Sequence, residues 1–300
     1  MKNTIPQFPD FIQLSISHKK LFYEINKTCR TEISELIFSE LFLWRSYFKP
    51  FLSFLNKNIC IKIVNEDNIF YYPPLGNEHF IETLLEILTF QRSTGKTAEV
   101  CSVPETYIDK IRWGFPEVKI TADRNDADYV YLSADLSNLK GSIFDGKRNH
   151  LKRFMLKYKH ELIDLEAKAL QECLKLQEEW CNLKKCSGDQ LLLAENEAII
   201  DAIANFTELD LIGCAIKVNN KIQAFSIASQ LNKDTAVILF EKANPQISGI
   251  YQAINQMFSS RLSEKYTFLN REQDHGIAGL RKSKLSYHPH HMVKKYRVSL

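Results

Sequence analysis

The 300-residue chain is poor in the residues that interrupt regular structure. It contains 10 glycines and 9 prolines, which lie below the usual shares of about 7% and about 5%. This excludes collagen-like and low-complexity sequence and argues against long disordered segments. The longest stretch without a charged residue, residues 243–260, is interrupted throughout by asparagine, glutamine, serine and proline. We therefore predict no membrane-spanning helix, and no signal peptide, because residues 1–20 lack a continuous apolar core.

A strong net charge is missing as well. The chain has 39 Lys and Arg against 36 Asp and Glu, a net charge of +3, which excludes a strongly basic coat protein but allows a local basic patch. The 7 cysteines are scattered and form no C-x-x-C motif, so we expect reduced thiols in a cytoplasmic protein. We predict no metal site, because Pro289 interrupts the histidines of residues 288–291 and no carboxylate or cysteine follows them.

The order of apolar residues predicts alternating helices and strands in both halves of the chain. In the first half we expect a long helix over residues 21–51 and a hairpin over residues 58–72 that ends at Pro73. A second helix should begin at Asn77 or Glu78, and a third should follow Pro104. Three short strands are expected over residues 98–101, 118–121 and 129–132. In the second half we expect helices over residues 166–181, 190–206, 248–263 and 276–285. Strands are expected over residues 210–218, 221–230, 235–240, 266–269 and 292–298. Both halves place a hairpin before this alternation, so we predict two related α/β domains, residues 1–138 and 139–300.

The densest polar group contains Asn270, Arg271, Glu272 and Asp274. It follows a predicted strand and precedes a predicted helix, the place where open α/β sheets usually bind ligands. The planar guanidinium of Arg271 suits a carboxylate or a phosphate, and Glu272 and Asp274 suit an amine. The alternative is a solvated loop in which Asp274 caps the next helix.

A second group follows on the predicted helix over residues 276–285. Arg281 and Lys284 are spaced to share one helix face and are candidates for binding an anion, although cations at a helix C-terminus also complement its dipole. Glu241 follows the apolar strand of residues 235–240. It is a candidate general base or, alternatively, the partner of an ion pair with Lys242 or Arg271.

Two further segments are candidates for binding the phosphates of a donor. Gln246 and Gly249 precede an uncharged helix, whose N-terminal N–H groups suit a phosphate. Tyr251, however, stands at a position where phosphate-binding loops of this spacing have a small residue. Lys147 and Arg148 belong to a run of seven cations between residues 140 and 159 that is opposed by a single acidic residue. That run would attract tRNA or anionic lipid, or would simply be the solvated face of a helix.

Five segments, in chain order, resemble a bacterial family related to the C-terminal domain of phosphatidylglycerol lysyltransferases; they read G-K-R-N-H-L-K-R-F, F-E-K-A, G-I-Y-Q-A-I-N-Q, N-R-E-Q-D-H-G and L-R-K-S-K-L-S-Y-H-P. The resemblance implies an α/β (α+β) fold of two GNAT-like (acyl-CoA N-acyltransferase) domains in tandem, as in Fem-type aminoacyltransferases. It also implies transfer of an aminoacyl or acyl group, from aminoacyl-tRNA or acyl-CoA, to an amine or a hydroxyl.

Our working hypothesis is a soluble transferase with its site in the second domain. Glu241 takes the proton of the attacking group, Asn270 and Tyr287 supply hydrogen bonds, and the donor phosphate or substrate carboxylate is held by Arg271, Arg281 and Lys284. We expect these side chains and Glu272 to line one concavity. The acceptor, a small molecule, a peptide or a lipid, stays open. The alternative is a non-catalytic ligand-sensing or RNA-binding module on the same fold, which Tyr251 favours.

Overall fold

Strands and helices alternate along the computed structural model, which describes residues 5–66, 68–95 and 97–300. Helices α1 to α11 span Lys19–Cys29, Phe38–Leu43, Arg45–Phe48, Phe80–Ser93, Glu105–Gly114, Ser133–Asn138, Asp145–Lys157, Ala167–Lys184, Gln190–Ala204, Ile250–Leu262 and Ala278–Leu285. Strands β1 to β12 span Ile12–Gln13, Pro50–Leu55, Asn58–Asn65, Asn68–Leu75, Glu99–Pro104, Lys119–Leu132, His160–Asp164, Ile212–Val218, Lys221–Gln230, Thr235–Ala243, Phe268–Asn270 and His291–Ser299.

The chain forms two compact units. The first unit contains the described residues up to Asp128 together with Gln273–Ala278 and Met292–Leu300. Its strands follow the order β1-β2-β3-β4-β5-β12, and all neighbours in this order are antiparallel except β4 and β5. Its core places Leu84 and Ile87 of α4 with Val100 of β5, Ile108 of α5 and Val298 of β12.

The second unit contains Tyr129–Glu272 and Gly279–His291. Its strands follow the order β6-β11-β10-β9-β8-β7, residues 129–132 of β6 being the part that belongs to this unit. Strands β10 and β11 are parallel, and the other pairs are antiparallel. Phe225, Val237, Ile254, Phe258 and Leu269 are among its fully buried apolar side chains, so β9, β10, α10 and β11 contribute to its interior.

The two units exchange segments of the chain, which the predicted boundary at residue 138 does not describe. The last strand, β12, pairs with β5 of the first unit, although its place in the sequence predicts that it completes the second domain. The apolar residues of β12 are covered by the first unit because Val298 packs with Val100 and Val103 there. Two GNAT-like domains in tandem therefore stay a prediction.

The predicted helix over residues 21–51 is wrong as a single element. Helix α1 ends where Arg30 adopts a left-handed backbone (φ 46°), and Lys49 (φ 43°) ends α3. Strand β2 then begins at Pro50, where a proline could not have continued the helix.

The predicted hairpin of residues 58–72 is confirmed, except that the prolines do not stop it. Strand β4 continues through Pro73 and Pro74 to Leu75, and the register with β3 shifts between Ile59 and Ile61. The irregularity accommodates residues that cannot donate to the ladder. Asp67, in the predicted turn, lies outside the described residues.

Local signals predicted the elements of the second half well. Asn219 and Asn220 both have positive φ (51° and 62°) between β8 and β9, as a tight turn requires. The strand predicted to end at residue 240 continues as β10 to Ala243, and the two strands predicted near residues 118–121 and 129–132 form one strand, β6. Strand β7 was not predicted.

The expectation of reduced cysteines is wrong for one pair. Cys181 and Cys186 form a disulfide with their Cα atoms 5.2 Å apart. The left-handed backbone of Lys185 (φ 55°) ends α8 and reverses the chain between them, which brings the two thiols within bonding reach. Among the described residues, none of the helices combines the length and apolarity that crossing a membrane requires.

Candidate active site

Glu241 and Arg271 meet where two parallel strands of the second unit stop pairing. Strand β11 ends at Asn270, opposite Val237, while β10 continues to Ala243. Glu241 therefore lies inside β10, whereas the sequence predicted that it follows the end of this strand. Its Oε1 atom is 3.2 Å from Nη2 of Arg271, and each of the two side chains keeps 14% of its surface exposed. The ion pair with Arg271, one of the alternatives for Glu241, is present.

The second carboxylate oxygen of Glu241 is bound from helix α10. Nδ2 of Asn255 donates a hydrogen bond to Oε2 of Glu241 over 3.2 Å. Because a carboxylate only accepts, this contact fixes the amide with its nitrogen toward Glu241. Oδ1 of Asn255 is buried and has no hydrogen-bond partner among the described residues. Asn255 thus holds Glu241 while keeping an unsatisfied acceptor of its own.

Two tyrosines surround the Arg271 guanidinium. Its Cζ atom is 6.0 Å from the ring centre of Tyr131 and 5.3 Å from that of Tyr287, within or close to the range of cation–π attraction. Burial raises the pKa of both phenols, although Arg271 opposes this. Burial lowers the pKa of Arg271, but the Glu241 carboxylate, Tyr131 and Tyr287 together outweigh it and the pKa is raised. At neutral pH the site therefore presents a permanent cation beside neutral phenols.

Lys284 supports the backbone of this site. Its buried ammonium donates to the carbonyl oxygen of Arg271 and lies 5.7 Å from the ring centre of Tyr129. The hydroxyl of Tyr131 donates to the carbonyl of Lys284 over 2.8 Å. The ammonium for which the sequence predicts an anion thus donates to a backbone carbonyl, and its role in binding an anion stays a prediction. Arg281, one turn earlier on α11, is partly exposed.

The remaining polar residues of the first group shape the chain after β11. Oδ1 of Asn270 accepts from the N–H of Glu272 over 2.7 Å, which stabilises the left-handed backbone of Glu272 (φ 56°). Asp274 belongs to the first unit, where its fully buried carboxylate accepts from the N–H of Gly276 and lies 3.4 Å from Nη1 of Arg124. Arg271 therefore contacts Glu241, whereas Asp274 stabilises the turn at Gly276.

Helix α7 carries the basic run, and its first cations are structural. Nζ of Lys147 lies 4.0 Å from the ring centre of Tyr287, and burial, then Arg271, lower the pKa of Lys147. Arg148 donates to the carbonyls of Leu139 and Gly141 and pairs with Asp145. The exposed cations are Lys140, Lys152, Arg153, Lys157 and Lys159.

Helix α7 also covers the start of α10, where the sequence predicts a phosphate. Gly249 has a φ of 84°, and a Cβ atom there would lie 2.5 Å from the His150 carbonyl oxygen and 3.0 Å from Cβ of Phe154. The close approach that Gly249 permits is therefore to a helix. Gln246 is exposed, and the hydroxyl of Tyr251 donates to the carbonyl of Ala243 over 3.0 Å.

Sequence reasoning missed Tyr131 and Asn255. A signal for Tyr131 is its spacing from Tyr129, which places both on one face of a strand. A signal for Asn255 is an amide between apolar residues of an uncharged helix, since a buried polar group usually has a specific partner. In the described part of the chain, no three His, Cys, Asp or Glu residues gather as a metal site would require.

Comparison with known proteins gives a family match over nearly the whole chain. Residues 27–299 match the family model described as phosphatidylglycerol lysyltransferase, C-terminal. Comparison with curated proteins gives no match. The fold is a mixed α/β fold.

Three solved structures resemble the chain. A conserved protein of unknown function from Bacteroides thetaiotaomicron is 32% identical with a TM-score of 0.91, over 99% of this chain and 100% of that one. The C-terminal domain of a putative lysylphosphatidylglycerol synthetase from Agrobacterium fabrum is 12% identical with a TM-score of 0.68, over 95% and 92%. L-PGS from Bacillus licheniformis is 13% identical with a TM-score of 0.67, over 99% and 94%. The last two likenesses show the fold.

Proposed function

The chain belongs to the family of phosphatidylglycerol lysyltransferase C-terminal domains, and we propose that it transfers an aminoacyl group from aminoacyl-tRNA to an amine or a hydroxyl. The observation that carries the proposal is the contact between Glu241 and Arg271, just beyond the point where β10 and β11 stop pairing. It puts a proton acceptor and a permanent cation side by side, which are the two groups that acyl transfer needs.

The chemistry follows from these two side chains. The lone pair of a neutral amine or hydroxyl attacks the ester carbonyl of the donor, and the carbonyl oxygen gains negative charge that the Arg271 guanidinium stabilises. Glu241 accepts the proton of the attacking group. The new amide or ester bond forms as the bond between the carbonyl carbon and the ribose oxygen breaks, and the ribose oxygen leaves with the proton that Glu241 accepted and returns to it. Tyr287, whose phenol is neutral at neutral pH, is a hydrogen-bond donor beside Arg271.

Helix α7 favours aminoacyl-tRNA over acyl-CoA as the donor. A coenzyme A pyrophosphate needs an open helix N-terminus, but residues His150 and Phe154 of α7 cover the start of α10 at Gly249. The exposed cations of α7 and its flanks instead form a basic surface of the kind that binds a polynucleotide backbone. Two GNAT-like domains in tandem and a cytoplasmic location, where such a donor is found, are part of the same proposal.

A transfer assay tests the proposal with defined probes. The purified chain is incubated with bulk tRNA carrying radiolabelled amino acids, and either phosphatidylglycerol vesicles or a short peptide with a free amine serves as acceptor. We expect label to move from tRNA to one acceptor, and the Arg271→Met variant to lose about 100-fold or more in kcat/KM. The control variant Glu195→Gln removes, from α9, the ion-pair partner of Lys242, whose side chain lies on the opposite face of β10.

Two results would contradict the proposal. One is acyl transfer from acetyl-CoA with no use of aminoacyl-tRNA. The other is tRNA binding without transfer to any acceptor, which would favour the RNA-binding module. An Arg271→Met variant as active as wild type would separate the activity from this site.

A further inference from the structure

A cavity of about 650 Å³ lies between α8 and α9 and shares no lining residue with the Glu241–Arg271 pair. Helix α8 contributes Leu174, Gln177 and Cys181, spaced so that they share one helix face. Helix α9 lines the other side, and the turn that contains the Cys181–Cys186 disulfide closes one end. The volume is within the range of small-molecule sites, about 300–1,000 Å³.

Two side-chain amides, on Gln177 and Asn196, meet in this cavity, whose polar lining also includes Asn182 and Ser187. Nε2 of Gln177 donates to Oδ1 of Asn196 over 3.1 Å, and both residues line the cavity. Oε1 of Gln177 is buried and accepts no hydrogen bond from the described residues. Nδ2 of Asn196 likewise has no protein partner within the described chain. The pair therefore offers one acceptor and one donor beyond its own hydrogen bond.

Apolar side chains form another part of the wall, and the two charged residues of the lining are of opposite sign. Leu193 and Ile200, both lining the cavity, keep 40% and 45% of their surface exposed, so a bound aliphatic group would remove apolar surface from water. The rim carries one acidic residue, Glu178, and one basic residue, Lys185. A ligand with a net charge has no excess of opposite charge to meet here.

We propose that this cavity binds a small uncharged amphiphile, an aliphatic chain that ends in a carboxamide. A carboxamide presents a carbonyl acceptor and an N–H donor side by side, the complement of Nδ2 of Asn196 and Oε1 of Gln177. Because Oε1 of Gln177 is buried, the proposal includes a rotation of the Gln177 amide that brings this oxygen to the cavity surface. The aliphatic chain packs between Leu193 and Ile200. The site is independent of the proposed transfer reaction.

Ligand-observed NMR with hexanamide tests the proposal. We expect saturable binding at one site, and at least tenfold weaker binding of N,N-dimethylhexanamide, which has no N–H donor. The Ile200→Arg variant should weaken hexanamide binding at least tenfold. The partly exposed position accepts an arginine, but the arginine side chain then fills the cavity. Leu193→Arg provides a second variant if Ile200→Arg lowers the melting temperature.

A matched control is available on the same helix pair. Leu183 is an exposed leucine of α8 (54% exposed) outside this cavity, so Leu183→Arg should leave hexanamide binding unchanged. Absence of saturable binding, or equal affinity for the two amides, overturns the proposal. It is also overturned if sedimentation shows a dimer that Ile200→Arg dissociates, because a second copy of the chain then covers the groove.

Discussion

Glu241 and Lys242, consecutive in β10, enter different environments. Glu241 meets Arg271 and Asn255, whereas the ammonium of Lys242 lies 2.6 Å from Glu195 and 3.7 Å from the ring centre of Trp180. Successive side chains of a strand point to opposite faces. One short segment therefore carries a candidate catalytic carboxylate on one face and a buried structural ion pair on the other, so variants of the second can control for the first.

Removing Arg271 alone should destabilise the protein. Arg271→Met leaves the Glu241 carboxylate largely buried without its cation, which costs about 3–5 kcal/mol. The double variant Glu241→Gln/Arg271→Met should recover most of that loss, because both charges are gone, yet remain inactive. Urea unfolding and the transfer assay measure the two effects. A double variant no more stable than Arg271→Met would mean that the ion pair does not account for the loss.

Asn255→Leu should lower kcat with little change in stability. The variant loses a hydrogen bond to a charged group, worth about 1.5–3 kcal/mol, but also removes the unsatisfied Oδ1, which costs about 1–3 kcal/mol. We expect KM to change little, because Asn255 positions Glu241. Gln256→Leu is the control: its amide, next along α10, donates to the carbonyl of Ser137. Equal kcat for both variants would contradict a positioning role.

Gly249→Ala should be much less stable than Gly279→Ala. At Gly249 a Cβ atom meets the backbone of α7 at 2.5 Å with φ at 84°, which together cost about 2–4 kcal/mol. At Gly279, inside α11, a Cβ atom meets nothing within 4 Å, and alanine should stabilise the helix by about 0.5 kcal/mol. Thermal melts compare the two. Equal melting temperatures would show that α7 does not pack on α10 in solution.

The exposed cations of α7 should govern binding to tRNA. Reversing Lys152, Arg153 and Lys157 to glutamate should abolish most of the affinity. For wild type, log K should fall with log salt by about 0.7–0.9 for each phosphate neutralised. Filter binding of bulk tRNA over a range of salt concentrations measures both. Lys147→Glu should instead lower stability, because Lys147 packs on Tyr287.

A matched triple reversal controls for the change in net charge. Lys168, Lys175 and Lys233 are exposed in the same unit and lie outside α7. Their reversal should reduce tRNA affinity far less than the α7 reversal. If the two triple variants bind tRNA equally, the basic run is a solvated helix face.

The free energy of unfolding should decrease as the pH rises from about 4 to about 6, because of Asp126. Burial, then the carboxylates of Asp123 and Glu35, raise the pKa of Asp126 to about 6, against the opposing effect of Lys295 and Arg297. The folded state therefore binds more protons than the unfolded state between the ordinary aspartate pKa of about 3.9 and about 6, so the free energy of unfolding decreases as pH rises through that window.

The variant Asp126→Asn should remove this slope and be more stable than wild type at pH 7. Urea unfolding at several pH values measures it. Asp109→Asn, at a side chain that is 98% exposed, should leave the slope in place. A slope that persists in Asp126→Asn would have to come from other carboxylates.

Elements decided by neighbours in the sequence could be predicted from it. The turn at Asn219 and Asn220, strand β9 and helices α8 and α9 follow from positive-φ residues and apolar spacing, which act within a few residues. The resemblance to the lysyltransferase C-terminal family, carried by five short segments, is confirmed by the family match over residues 27–299. The proximity of Glu241 to Arg271 was expected, because both follow apolar strands of one predicted sheet.

Contacts between distant segments were decided by the tertiary structure. Strand β12 leaves the second half of the chain to pair with β5, and no local pattern states which sheet edge an apolar strand will cover. The sequence suggests that Lys284 and Arg148 are free cations, yet both donate hydrogen bonds to backbone carbonyls. The packing of α11 and α7 brings these carbonyls within reach of the two side chains. Asn255 reaches Glu241 only through the packing of α10 on β10. Hydrophobic spacing determines which faces are buried, whereas the partners of a buried polar group depend on how the elements pack together.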